Sequence, residues 1–309
     1  MRRVALGVAL LVLVATGVVA YLHQGSPAAL LARKGQIARV ETTPASADER
    51  FTYTDVTIHG STGLVVQARV RAPRGRDGAL PGAVLVGGLN RGRRVVEVRG
   101  LDAIARDAVL VSPDYAIDEH RRAWRGLALA SSATKIRSAA LDGVAAVPLL
   151  LDYLATRPDV RGDTLFVVGS SLGAPIVTIA GAIDARPRAV VALYSGGDLP
   201  RLLTHALAYD GLPRWQAWIA GHALAWWVAP LEPVRYAGRI APRAFLMING
   251  ADDSLIPRAN VLALYDAARA PKELTWISGE HVQPDEDALI ERLSGVVAGW
   301  LAARGLLQR

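Results

Sequence analysis

From residue 51 onward, polar and apolar positions follow two alternating patterns. Phe51 to His59 and Leu64 to Ala72 alternate apolar with polar or charged residues, and Gly60-Ser61-Thr62-Gly63 separates them. That pattern predicts an antiparallel hairpin with one wet face. Runs suited to buried strands follow at Ala83 to Val86, Ala108 to Ser112, Leu165 to Val168, Ala189 to Tyr194, Arg243 to Ile248 and Glu273 to Ile277. Between them, Val95 to Arg106, Ala133 to Thr156, Ile176 to Ile183, Arg258 to Arg269 and Asp285 to Leu301 read as helices. Pro148 predicts a bend or interruption in the second of these. Strands alternating with helices imply an α/β fold: a mostly parallel sheet with helices on both faces and the hairpin as an antiparallel edge. In such sheets the working groups sit in loops at the strand C-terminal ends.

The N-terminal region follows neither pattern. Arg2 and Arg3 precede a charge-free apolar run of 19 residues, Val4 to Leu22, and a membrane-spanning helix needs roughly 20. A signal peptide and a membrane anchor both fit, the anchor slightly better; the absence of a polar face argues against a buried core helix. Either way, the positive-inside bias places the remainder outside the cytoplasmic membrane, anchored or secreted. His23 to Arg50 mixes Gly, Pro, Ser, Ala and charge without sustained periodicity, as a linker would. The expected organisation is therefore a signal or anchor at 1–22, a linker at 23–50 and a folded domain at 51–309.

Composition narrows the chemistry. The absence of cysteine excludes a disulfide framework, a cysteine nucleophile and a thiolate metal site. The six histidines show no persuasive metal spacing, so no metal is expected. A formal net charge of +7 reads as a solvated basic surface; no nucleic-acid-reading motif accompanies it.

The chemistry concentrates in Leu165-Phe166-Val167-Val168-Gly169-Ser170-Ser171-Leu172-Gly173-Ala174-Pro175, an apolar strand running into Gly-x-Ser-x-Gly and then a helix rich in small residues. A tight strand-to-helix turn leaves little room for a Cβ, hence glycine two residues either side of Ser171. Two further loops follow predicted strands: Gly250-Ala251-Asp252-Asp253-Ser254-Leu255-Ile256-Pro257, and Ser278-Gly279-Glu280-His281. With these three loops in this order the chain resembles the α/β-hydrolases over residues 51 to 305, closest in pattern to the dienelactone-hydrolase-like and prolyl-oligopeptidase-like branches. Dienelactone hydrolases proper use a cysteine nucleophile, which this chain lacks.

The resemblance implies an α/β-hydrolase fold with Ser171 as nucleophile, His281 as base and Asp253 as the acid that orients it, with no metal or organic cofactor. Asp252 is the adjacent alternative and Asp198, after the Ala189 to Tyr194 strand, a more distant one. The Leu172 N–H is one expected oxyanion donor, and Leu89, or else Asn90, the second. Where family members commonly carry His-Gly, this chain has Gly87-Gly88-Leu89.

Residues 198–239 leave the strand–helix rhythm and carry Trp215, Trp218, Trp226 and Trp227. They read as a helical cap over Ser171, its tryptophans lining an apolar substrate pocket, packing the cap onto the sheet or meeting a membrane. Arg91, Arg93 and Arg94, with Arg121, Arg122 and Arg125, are candidates for a basic rim. The function expected is a serine hydrolase of a small-molecule or lipid-like carboxylic ester. Peptidase, thioesterase or acyltransferase chemistry on the same triad is the alternative, and a catalytically silent lipid- or partner-binding domain is the rival of another class.

Overall fold

The computed structural model describes residues 11–18, 25–88, 91–115, 127–283 and 286–308. Much of the stretch expected to be a linker is built into the domain. The Ser26 side chain accepts from the Ala29 N–H at 3.1 Å and so caps α1 (Pro27–Lys34), whose opening proline needs no N–H partner. Leu30 is fully buried, and Lys34 pairs with Asp152 at 2.6 Å. Next, β1 (Ile37–Ala47) pairs antiparallel with β2 (Phe51–Gly60). Its residues are exposed save for half-buried Ile37, so no hydrophobic alternation marks it as a strand and backbone pairing alone forms it. Residues 11–18 are helical and exposed.

The expected hairpin is β2 with β3 (Val65–Pro73), in register from His59 opposite Val65 to Phe51 opposite Pro73. The chain continues through β4 (Leu80–Val86), two 3-10 turns (Gly92–Glu97 and Arg99–Leu101), the single turn α2 (Asp102–Ala105), and β5 (Val109–Pro113). It then forms α3 (Leu127–Thr156), β6 (Val160–Ser170), α4 (Gly173–Ile183), β7 (Pro187–Leu193), α5 (Leu199–Tyr209) and α6 (Arg214–Trp227). A 3-10 turn at Ala229–Leu231, α7 (Val234–Ala237), β8 (Ala244–Gly250), α8 (Arg258–Ala267), β9 (Lys272–Ile277) and α9 (Asp287–Ala302) complete it.

Among the described residues the nine strands form one sheet in the order β1-β2-β3-β5-β4-β6-β7-β8-β9. The pairs from β1 to β5 are antiparallel and those from β5 to β9 parallel. Because β4 lies between β5 and β6, the strand order reverses there, opening a crevice beyond the ends of β4 and β6.

Alternate side chains of the central strands enter two cores. Val84, Val167 and Val190 face the core shared with Leu30 of α1, Val147 of α3 and Val177 of α4. Leu85, Phe166 and Val191 face the core shared with Ile104 of α2 and Leu293, Val297 and Leu301 of α9. The apolar Arg137–Thr156 portion of α3 is long enough to cross a membrane, but it is mostly buried within the domain, as in a core helix. It runs through Pro148 without the expected interruption.

Two further expectations need correction. Val95 to Arg106 forms 3-10 turns and one α-turn where a helix was expected. β-Branched Val95, Val96 and Val98 favour helix poorly. Gly100, in addition, lies so close to α9 that an added Cβ would sit 2.8 Å from the Glu291 nitrogen. The hairpin's wet face is also covered at one end: Arg71 is buried, stacked 3.7 Å over Phe51, and donates to the carbonyls of Val96 (3.1 Å) and Val98 (3.2 Å) while pairing with Asp102. This arginine ties the hairpin to the 92–105 segment.

Candidate active site

The central turn is built by close packing. Ser171 has φ 52°, in the left-handed region, which for a residue other than glycine costs on the order of 1–3 kcal/mol. Its N–H donates to the Leu193 carbonyl at 2.9 Å, and its carbonyl accepts from the Ala174 N–H at 3.0 Å. A Cβ at Gly169 would stand 2.4 Å from the Gly173 carbonyl oxygen, and one at Gly173 2.0 Å from that of Val86. Both glycines are therefore demanded by backbone approaching backbone, and together they turn Ser171 out at the head of α4.

Two further loops meet at that turn. His281 Nε2 lies 2.9 Å from Ser171 Oγ, and His281 Nδ1 lies 2.8 Å from Asp253 Oδ2. The Asp253 side chain is only 1% exposed. Its Oδ1 accepts from the Leu255 and Ile256 N–H groups, each at 2.9 Å. Neighbouring carboxylates join the two loops: Glu280 accepts from the Ser254 N–H at 3.0 Å, and Asp252 from the Gly279 N–H at 3.3 Å. Tyr194 packs against the His281 ring edge to face, centroids 5.1 Å apart. Burial first, then the negative charge of Asp253, push its phenol up to about 12.

The other acids are used elsewhere. Asp198 caps α5, accepting from the Arg201 N–H at 3.4 Å and pairing with its guanidinium. Asp252 is exposed, its contact being the loop N–H just described. Leu172 directly precedes α4, where helix N–H groups point outward. Leu89 and Asn90, the alternatives for the second donor, lie outside the described residues. The neighbouring Gly88 borders the site: a Cβ there would stand 3.4 Å from Ser171 Cβ. The Tyr115 hydroxyl donates to the Gly87 carbonyl, bracing the same loop.

Ser171 and His281 open on a cavity of about 450 Å³. Its walls are Leu85 and Val168 from the sheet, Val98 and Ile104 from the 92–105 segment, and Leu293 and Val297 from α9. Ser294 adds a hydroxyl that is buried without a hydrogen-bond partner. None of the four tryptophans lines the cavity, contrary to expectation. Residues 198–239 are helical as expected, but α5 and α6 pack on each other: a Cβ at Gly221 of α6 would meet the Thr204 backbone nitrogen of α5 at 2.6 Å. Trp215, Trp218 and Trp226 face outward, and Trp227 is half-buried.

The basic rim divides. Arg91 lines the cavity, Arg93 pairs with Asp114 at 3.2 Å, Arg94 is exposed, and Arg121, Arg122 and Arg125 lie outside the described residues. Sequence reasoning missed the α9 and 92–105 walls and the buried Arg71. The helical spacing of Leu289, Leu293, Val297 and Leu301 carried the α9 signal, but it reads equally as ordinary core.

No family model matches the chain, and no curated protein matches it. Solved structures do. Acetyl xylan esterase 1 from Thermoanaerobacterium sp. JW/SL YS485 superposes with TM-score 0.64 at 18% identity, covering 88% of this chain and 92% of that one. An acetyl xylan esterase from Paenibacillus sp. R4 gives 0.63 at 19% identity, covering 89% and 93%. A cold-adapted esterase from an Arctic intertidal metagenomic library gives 0.54 at 16%, covering 81% and 95%. The chain has the α/β-hydrolase fold.

Proposed function

We propose that this chain is a serine hydrolase that cleaves carboxylic esters through an acyl-enzyme on Ser171. The observation carrying the proposal is the continuous chain of contacts from Asp253 through His281 to Ser171, opening on an apolar cavity. The esterase names of several structural neighbours agree with it.

The chemistry follows from the donor pattern. Asp253 Oδ1 is occupied by two backbone N–H groups, leaving Oδ2 to accept from His281 Nδ1–H. That tautomer leaves Nε2 unprotonated, facing the Ser171 hydroxyl. Ser171 Oγ attacks the ester carbonyl carbon as Nε2 takes the hydroxyl proton, and the imidazolium then gives that proton to the departing alkoxide. Water, deprotonated by the same nitrogen, releases the acid and restores Ser171. The Leu172 N–H and a second donor from the Leu89–Asn90 loop hold the oxyanion, each worth about 3 kcal/mol of barrier.

The cavity suits an acyl chain longer than acetyl, since several apolar side chains wall a space of about 450 Å³. The Val4 to Leu22 run anchors this hydrolase with its domain outside the cytoplasmic membrane.

The test is turnover of p-nitrophenyl acetate, butyrate, octanoate and laurate by the full chain in detergent, beside Ser171→Ala, with fluorophosphonate labelling of both. Turnover and labelling, both abolished by Ser171→Ala, are expected. A chain that neither turns over these esters nor takes the label would refute the proposal.

A further inference from the structure

Helix α6 is built inside out. Its inward face carries Ala217, Gly221 and Ala225, all buried, against α5. Its outward face carries Trp215, Trp218, Ile219 and Trp226, which are 66%, 57%, 54% and 57% exposed. These four fall at i, i+3, i+4 and i+11 in a stripe on one side of the helix, with exposed His222 between them at i+7, its ring 4.4 Å from that of Trp218. Charge is scarce as well: between Gly211 and Leu231 the only formally charged residue is Arg214. A soluble surface helix has the opposite arrangement, with large apolar groups inward. Nor does the stripe serve the cavity at Ser171, to whose wall it contributes nothing.

A second observation identifies what the stripe meets. The first residue described after the N-terminal apolar run, Gly25, is buried against Pro230: a Cβ on Gly25 would stand 2.3 Å from the Pro230 Cβ. The Tyr236 hydroxyl lies within hydrogen-bond distance of the carbonyls of both residues, 2.9 Å in the case of Pro230. Pro230 is three residues beyond Trp227, so the chain leaving the apolar run joins the domain at the end of α6. Tryptophan with aliphatic side chains and little charge is the composition that settles at the headgroup level of a bilayer.

We propose that the outward face of α6 docks on the lipid bilayer beside the point where the N-terminal run enters it, giving the domain a second membrane contact. This rests on the anchor reading above and is independent of the reaction at Ser171. One apolar helix leaves the domain free to swivel, whereas a helix plus a docked aromatic stripe restricts its orientation.

The lack of cysteine permits a clean test. The full chain carrying Ile219→Cys, and separately Asp163→Cys on the exposed start of β6, is labelled with a nitroxide. Each is reconstituted into vesicles of equal parts phosphatidylcholine and phosphatidylglycerol and recovered by flotation. Collisions with oxygen, which partitions into lipid, are compared with those of a water-soluble nickel chelate.

The expected result is a label at 219 that favours oxygen and one at 163 that favours nickel. Nickel preference at both positions in floating protein overturns the docking while leaving the anchor intact. A label at 219 shielded from both reagents shows a protein cover, such as a second copy, and also overturns it. Failure to float overturns anchor and docking together. Turnover of a soluble ester by the same samples reports separately on the catalytic proposal.

Discussion

Replacing Asp253 by asparagine tests the proposed mechanism most sharply, because the surroundings dictate how the new side chain must sit. Oδ1 accepts from two backbone N–H groups at 2.9 Å, so the amide oxygen has to occupy that place. The opposite orientation would leave both N–H groups facing an NH₂, at about 1–3 kcal/mol for each unsatisfied donor. The NH₂ therefore faces His281 Nδ1, at the 2.8 Å contact now made by Oδ2. An NH₂ can only donate, so Nδ1 must accept, and the ring proton moves to Nε2. There it faces Ser171 Oγ and prevents Nε2 from taking the serine proton. An inverted tautomer of this kind costs about 10⁴-fold in kcat, or roughly 5 kcal/mol of barrier. The assay is kcat for p-nitrophenyl acetate, with circular dichroism and thermal melting to confirm an intact fold. Asp252→Asn, at an exposed carboxylate, should change kcat by less than about threefold. If Asp253→Asn keeps kcat within tenfold of the parent while folding normally, the assignment of Asp253 and the tautomer argument both fail.

Three more outcomes follow from the packing. Gly173→Ala would place a methyl 2.0 Å from the Val86 carbonyl oxygen, in backbone that cannot rotate away; a loss of about 1–3 kcal/mol is expected, and an unchanged melting temperature would contradict it. Ser294→Leu replaces a buried, unpaired hydroxyl on the cavity wall with bulk. Octanoate turnover should fall about tenfold relative to acetate, since filled cavity volume is lost to the substrate, and an unaltered chain-length profile would show that acyl chains bind elsewhere. Tyr194→Phe removes a buried hydroxyl without a partner and should leave stability and kcat nearly unchanged at neutral pH. The Tyr194 phenol rises from 10.0 to about 12 on folding. The folded chain therefore keeps a proton that the unfolded chain releases, and this group's contribution is intact below pH 10 and is lost as the pH rises to 12. Denaturant midpoints across that range should show a decline in the parent that is smaller in Tyr194→Phe.

The alternation of strand and helix, the β2–β3 hairpin and the loops carrying Ser171, Asp253 and His281 were all legible, because each depends on local residue types: glycines where backbones touch, apolar runs where both faces are covered. Ser171, Asp253 and His281 come together as their loops suggested, and Asp198 proves to be a cap. What the sequence hid was set by partners distant along the chain. Exposed β1 has no apolar pattern and exists through pairing with β2. Arg71 reads as a wet-face residue until the 92–105 segment covers it. The four tryptophans suggested a pocket because hydrophobic size says nothing of direction; Gly221 let α6 sit against α5 by its small side and turned the large side outward.

The cavity's walls have a consequence for the order in which the molecule becomes competent during synthesis. One wall, residues 95–104, is made well before Ser171, whereas His281 and the opposite wall, Leu293 and Val297, follow nearly the whole sheet. On the mechanism proposed above, a nascent chain that has already formed the turn at Ser171 has neither a base to activate it nor an enclosed site to hold an acyl group. On that reading the site is complete only once α9 lies against the 92–105 segment, and a partly made chain would be chemically quiet towards the esters around it.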